Sequence, residues 1–301
     1  MISNRIDFIY IFDVKDGNPN GDPNADNMPR IDDETGQGLV TDVCLKRKVR
    51  NYVLVKKEMQ EGFDIYIKER AVLDSVINDV YKEISVKNAT KDNKRVVAQE
   101  LLCKKYYDIR TFGAAITTTG KQDQVRGPIQ FTFARSVNQI QAKPNPITRM
   151  AATKKAETNS DNPEDEVKQK ERTMGNKFIV PYGLYVCYGF ISANLAKQTG
   201  FSEEDLALFW DALKNMFDVD RSAARGLMSA QQVIVFRHNS VLGNAPADKL
   251  FKLVEVKKKE KKEENAIPRS FEDYNVTCKA DVEKKLKELY PDKNINVEYL
   301  I

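Results

Sequence analysis

The chain has 301 residues, enough to bury a core without disulfide or metal staples. Its 48 Lys plus Arg stand against 44 Asp plus Glu and a single His, a formal net charge of +4, so overall charge does not mark a polyanion binder. The cysteines, Cys44, Cys103, Cys187 and Cys278, lie far apart, form no Cys-x-x-Cys pair and have only His238 to add an imidazole, which argues for reduced thiols and against a structural zinc. No apolar run reaches the roughly eighteen residues of a membrane span, and residues 1–13 lack the basic start and cleavage site of a signal peptide. The expectation is a soluble, cytoplasmic protein with no membrane partner.

In residues 6–14, Phe8, Tyr10 and Phe12 alternate with Ile9 and Ile11, which predicts a strand covered on both faces. Residues 15–38 then collect Gly17, Asn18, Pro19, Asn20, Gly21, Asp22 and Pro23, followed by Pro29 and Gly36. Such turn formers predict a long loop kept for function. Thr41 is placed to cap a helix from Asp42 whose core face is Leu45, Val49, Tyr52 and Val53. Residues 42–57 hold six basic side chains and one acidic one, the sharpest local imbalance in the chain.

Residues 58–105 are mixed, with helices predicted over 67–84 and 96–106, and read as an insertion beside the main sheet. Residues 108–119 and 127–133 predict strands joined by a polar turn at 120–126. Residues 143–177 carry eight basic and six acidic side chains with almost nothing large and apolar, so they cannot build a core of their own. Because 178–191 is a strong strand pattern, that polar stretch reads as an arm projecting from a sheet. Ser202 and Asp205 give a weak capping signature ahead of Leu206, Phe209, Trp210, Leu213 and Phe217 at helical spacing. Strands are predicted over 232–237 and 250–256 and a closing helix over 280–290. With no constant-period repeat, the pattern is that of an α+β domain, an antiparallel sheet with helices on one face.

Clustered carboxylates can hold a cation that activates water, and Asp22, Asp26, Asp32, Asp33 and Glu34 raise a metal-dependent hydrolase reading for the 18–34 loop. Their spacing is irregular, so a solvated structural loop fits best, a direct ligand contact next and a metal site least. His238 has no acid or thiol beside it in sequence, and neither a nucleophile elbow nor a phosphate loop is present. The basic helix suits a polyphosphate better: Lys46 and Arg50 stand one turn apart and can follow successive phosphates, unless acids elsewhere neutralise that face. Arg110, Arg126 and Arg135 sit beside turns, where a guanidinium can grip a phosphate. Phe112, Phe131 and Phe133 can stack on bases or fill the core. Met150, at the start of the polar arm, can wedge between bases.

Asn18 through Pro23, Pro29-Arg30, Thr35-Gly36 and above all Val40-Thr41-Asp42-Val43-Cys44-Leu45-Lys46-Arg47-Lys48-Val49-Arg50-Asn51-Tyr52 resemble the repeated backbone subunit of the type I-C CRISPR surveillance complex, Cascade. Asp108 through Gly113, Arg126 through Phe131 and Ala134 through Val137 continue that resemblance in the same order. It implies one palm-centred domain over 1–301 with a modified RNA-recognition-type, ferredoxin-like fold, a helical web or fingers insertion at 58–107 and a thumb arm at 143–177. Copies would stack head to tail along one guide RNA and present it for pairing with target DNA. The partners implied are guide-end-binding, large and small subunits and a recruited helicase-nuclease, with no cofactor, no metal and no catalysis of its own. The residues implied in RNA binding are Arg30, Lys46, Arg47, Lys48, Arg50, Arg110, Arg126, Arg135 and Lys154, with Met150 as the thumb wedge. The acidic stretch 161–166 would need solvent or a neighbour's basic residues. A metal-dependent endoribonuclease using the 18–34 loop is the alternative.

Overall fold

The computed structural model describes residues 1–90, 93–118, 121–149, 173–260 and 267–301. In chain order these form β1 (Ile6–Gly17), β2 (Gly21–Asp22), β3 (Met28–Pro29), β4 (Gln37–Val40) and α1 (Asp42–Lys57). The helices α2 (Leu73–Lys82), α3 (Ile84–Lys87), α4 (Lys94–Lys105) and α5 (Tyr107–Phe112) follow. Next come β5 (Gly113–Thr118), β6 (Lys121–Arg126), β7 (Ile129–Phe131), β8 (Ala134–Gln139), β9 (Lys143–Arg149) and β10 (Thr173–Ile191). The last third holds α6 (Ala193–Thr199), α7 (Glu203–Val219), β11 (Leu227–His238), α8 (Ala247–Phe251), β12 (Val256–Lys258), β13 (Tyr274–Val276), α9 (Lys279–Leu289) and β14 (Ile295–Tyr299).

The apolar alternation of β1 places it mid-sheet, paired antiparallel with β10 and β11 in the order β14-β11-β1-β10-β8-β4. Phe8, Tyr10, Phe12 and Val14 point into one core layer and Ile9 and Ile11 into another. The first layer is closed by α1 and α7, where the Tyr10 hydroxyl donates to the Leu213 carbonyl at 2.8 Å and the Tyr52 hydroxyl to Asp211 at 2.6 Å. Ser202 and Asp205 form a reciprocal capping box that starts α7, and Phe209 and Trp210 set their rings edge-on to Phe8. Leu250, Phe251, Val282 and Leu286 cover the second layer, so helices lie on both faces rather than one. Tyr66, Ile77, Val80, Leu102 and Ile109 build a separate small core for the helical insertion.

The predicted strand at 108–119 begins instead as α5, whose side chains are all buried, Asp108 and Arg110 included, so no polar face marks a helical period. Residues 121–126 pair with β5 rather than forming the expected turn. The strand expected over 250–256 is the end of α8, entered after Pro246, and β12 begins only at Val256. β10 outruns the main sheet: residues 180–191 pair with β1, while Thr173–Ile179 pair with Arg149–Lys143 of β9 as a two-stranded ladder. Met150, Lys154 and the acidic stretch 161–166 lie outside the described residues. Among those described, no helix is long and apolar enough to cross a membrane.

Candidate nucleic-acid interface

The loop after β1 is laced to the start of α1. The Thr41 hydroxyl caps the helix by accepting from the Cys44 amide at 3.2 Å, and Asn20 Oδ1 accepts from both the amide and the hydroxyl of Thr41, at 2.9 and 3.0 Å. The Asn18 amide donates to the Ala224 carbonyl at 2.8 Å, which ties the same loop to residues 220–226. The turn-forming motif read in the sequence is thus a clasp between three chain segments.

The basic residues of α1 divide by direction. Lys46 reaches Asp42 at 3.0 Å and Gln130 at 3.2 Å near the surface, and Arg47 donates to the Ile67 carbonyl at 2.6 Å. Lys48 and Arg50 turn inward, contrary to the expectation of a phosphate-following row. Lys48 pairs with Asp220 at 2.9 Å and Arg50 with Asp108 at 2.7 Å, both lysine and arginine being buried. Flanking elements cause this, since the loop after α7 supplies Asp220 on one side of α1 and α5 supplies Asp108 on the other. Arg110 is likewise buried, with two bonds to Asp205 at 3.1 and 2.7 Å. These three cations brace the fold in this structure.

Arg30 is half-buried and pairs with Asp22 at 3.3 Å. Arg126 is exposed at the end of β6, and Arg135 is exposed on β8 with Asp32 at 2.6 Å. That arginine, with the Thr35 and Glu34 amides, holds the Asp32 carboxyl below its usual range. Asp22 and Asp32 are therefore each engaged by an arginine and by loop amides. Among the described residues, no three His, Cys, Asp or Glu side chains converge in a metal-holding group. His238 is buried with Nε2 at 3.0 Å from Asp7 and Nδ1 accepting from the Asn244 amide at 2.8 Å. Phe112 and Phe131 are core residues; Phe133 stays exposed.

A cationic group that the sequence reading overlooked gathers where the β9–β10 ladder leaves the sheet. Residues 220–226, Asp-Arg-Ser-Ala-Ala-Arg-Gly, form a loop held by Asp220, which accepts from Lys48, Asn51 and Arg225. Burial alone would raise the Asp220 carboxyl, but Lys48 and Arg225 outweigh it and hold the group below its ordinary value. Gly226 packs on the Lys15 and Asp16 carbonyls, and Lys177 donates to the Ala223 carbonyl. Around this junction Lys15 is exposed, Arg221 is exposed in a pair with Asp218, and Arg225 is half-exposed in its pair with Asp220. Cys44 lies beneath it: burial pushes its thiol up, while Lys48, Arg225 and Arg30 pull it back. Two arginines in a small-residue run ending in Gly before a strand was the signal available in the sequence.

An antiparallel sheet flanked by helices, with a helical insertion and a ladder prolonging one central strand, is a fold already seen in a solved structure. The fold matches a chain of a CRISPR RNA-guided surveillance complex, pre-nicking, with a TM-score of 0.52 over 96% of this chain and 90% of that one, at 13% identity. The particular family is given by sequence. Residues 4–279 match CRISPR-associated protein Cas7, and the chain belongs to that family. A relative, CRISPR-associated protein Cas7 of Haloferax volcanii, is 28% identical over 236 residues, which cover 70% of this chain and 65% of the relative's length. The match thus spans slightly less than two thirds of that relative.

Proposed function

We propose that this chain is the repeated guide-RNA-binding backbone subunit of a type I-C CRISPR surveillance complex. Copies stack head to tail along the guide and leave its base edges free to pair with target DNA. The palm is the main sheet, the insertion is the web and the β9–β10 ladder is the root of the thumb. The subunit works in the cytoplasm without catalysing cleavage, alongside guide-end-binding, large and small subunits and a recruited helicase-nuclease.

Membership of the Cas7 family supports this reading, and the observation that carries it is the gathering of Lys15, Arg221, Arg225 and Arg30 around the loop at the ladder's foot. Lysine and arginine attract phosphates whatever the bases are, which suits a guide of any sequence. Arg126 and Arg135 add exposed basic groups on β6 and β8, and Lys46 adds a partly buried one on α1. The buried pairs Lys48–Asp220 and Arg50–Asp108 act behind these groups by fixing α1 against its neighbours.

The test is binding of labelled single-stranded guide RNA across a salt series, with and without magnesium, by wild type and by a Lys15→Glu/Arg221→Glu variant. The variant should keep its thermal midpoint, bind more weakly and lose about 0.7 from the log–log salt slope for each contact removed. Well-folded wild-type protein that stays monomeric and shows no salt-dependent affinity, with partner subunits supplied, overturns the proposal. Magnesium-dependent RNA cleavage abolished by Asp22→Asn overturns its non-catalytic part.

A further inference from the structure

We propose that Phe133, Tyr188 and Arg135 form a nucleobase-stacking subsite for single-stranded RNA at the edge of the main sheet, a reading that rests on the RNA-binding function above. Thr132 and Phe133 make the corner between β7 and β8, and that corner is stapled to β10. The Thr132 amide donates to the Tyr188 carbonyl at 2.8 Å, its hydroxyl accepts from the Tyr188 amide at 3.1 Å, and its carbonyl accepts from the Cys187 thiol at 3.2 Å. The backbone therefore cannot turn to bury the neighbouring ring. Phe133 keeps 51% of its surface in solvent while Phe131, two residues before it, and Phe112 are buried. A large aromatic held out of the core by three hydrogen bonds is placed to meet something outside the chain.

Tyr188 is partly exposed, and its ring stacks on Phe251 at 4.6 Å between centroids and 21° between planes. That stack fixes the ring before any ligand arrives. Phe133, Tyr188 and Arg135 line one cleft of about 450 Å³, together with Val186 and Val254. Two aromatic rings and a guanidinium offer flat apolar surface for a base and a charge for the adjoining phosphate. Arg135 is engaged only by Asp32 among the described residues, in an exposed pair that a phosphate can displace. A guanidinium beside two aromatic rings, in a cleft otherwise lined by apolar and small polar groups, favours nucleic acid as the occupant. Every base has a π-face, so such a subsite accepts any guide sequence.

The experiment uses the full chain and a fluorescent oligouridine RNA, with Phe133→Ala and Phe133→Trp variants. The native protein has one Trp, Trp210, which is buried, so the indole of Phe133→Trp reports the cleft. Phe133→Ala should weaken RNA binding about tenfold with an unchanged salt slope, as expected for a lost stack without a lost phosphate contact. The new indole should be quenched by oligouridine and not by inorganic polyphosphate, which carries charge without bases. Wild-type affinity of Phe133→Ala together with an unquenched indole, in protein that binds RNA, overturns the subsite alone. Absence of RNA binding by wild type overturns the underlying function instead. An indole emission that shifts with protein concentration in the absence of RNA assigns the cleft to a second copy and overturns the proposal.

Discussion

Replacing Arg50 by Ala separates bracing from RNA binding, because the two roles move different observables. Side-chain exposure is 7% for Arg50 and 1% for Asp108, and Nε meets Oδ2 at 2.7 Å. The same carboxylate accepts from the Tyr66 and Ile67 amides at 2.8 and 3.1 Å, so it anchors the entry to the insertion. The guanidinium also lies over the Phe112 ring, 5.3 Å from its centroid. Truncation leaves a buried carboxylate with its two amides and no counter-charge, a change that costs about 3–5 kcal/mol. At roughly 2–4 °C per kcal/mol, the melting midpoint should fall by about 10 °C. The assay is thermal and urea denaturation of Arg50→Ala, Asp108→Asn and the double variant, followed by RNA titration of whatever remains folded. The double variant should be less damaged than the sum of the singles. An Arg50→Ala protein with a wild-type midpoint and a reduced salt slope for RNA would refute the bracing role and restore the phosphate contact.

Three further outcomes are expected. Gly226 has φ +61°, and a Cβ there would stand 2.4 Å from the Asp16 carbonyl oxygen, so Gly226→Ala should cost about 1–3 kcal/mol and weaken RNA binding; an unchanged urea midpoint contradicts it. Burial raises the Asp13 carboxyl despite bonds from Gln231 and Tyr182, so its favourable contribution is full below 3.8 and is lost as pH rises through the raised value. Asp13→Asn should therefore raise the melting midpoint at neutral pH and lose that gain in acid, and equal midpoints at neutral pH would count against it. Asp220 is held below 3.8, so its contribution persists above that value and disappears as pH falls through the lowered one. Amide exchange in residues 221–226 should stay protected until pH drops below 3.8, and opening well above it would contradict the Lys48 and Arg225 pairing.

Elements with a clear period and a cap were legible. Thr41 with Leu45, Val49 and Tyr52 defined α1, and Ser202 with Asp205 defined α7. The fate of the cations was not legible, because their acids are remote: Asp220 stands 172 positions from Lys48, Asp108 58 from Arg50 and Asp205 95 from Arg110. A local surplus of charge says nothing about a compensating carboxylate delivered by tertiary packing. The fully buried α5 misled for the same reason, since its charged members, Asp108 and Arg110, are drawn inward by Arg50 and Asp205 and leave no solvent-facing stripe to mark a helix. Lys15 and Arg225 became candidates only once three distant segments met at one loop.

β10 belongs at once to the interior and to the projecting ladder, with no break between Ile179 and Val180. At about 3.3 Å per residue it is a lever on the order of 60 Å long, and a pull on its outer end loads the bonds to β1 in shear. Gaining or losing one residue near its root would exchange inward and outward side chains along the rest of the strand, driving Tyr185 and Cys187 out of the core. Length can therefore drift across lineages only past the ladder, and a variant with a shorter projection should be trimmed there, in steps that leave Arg149 opposite Thr173.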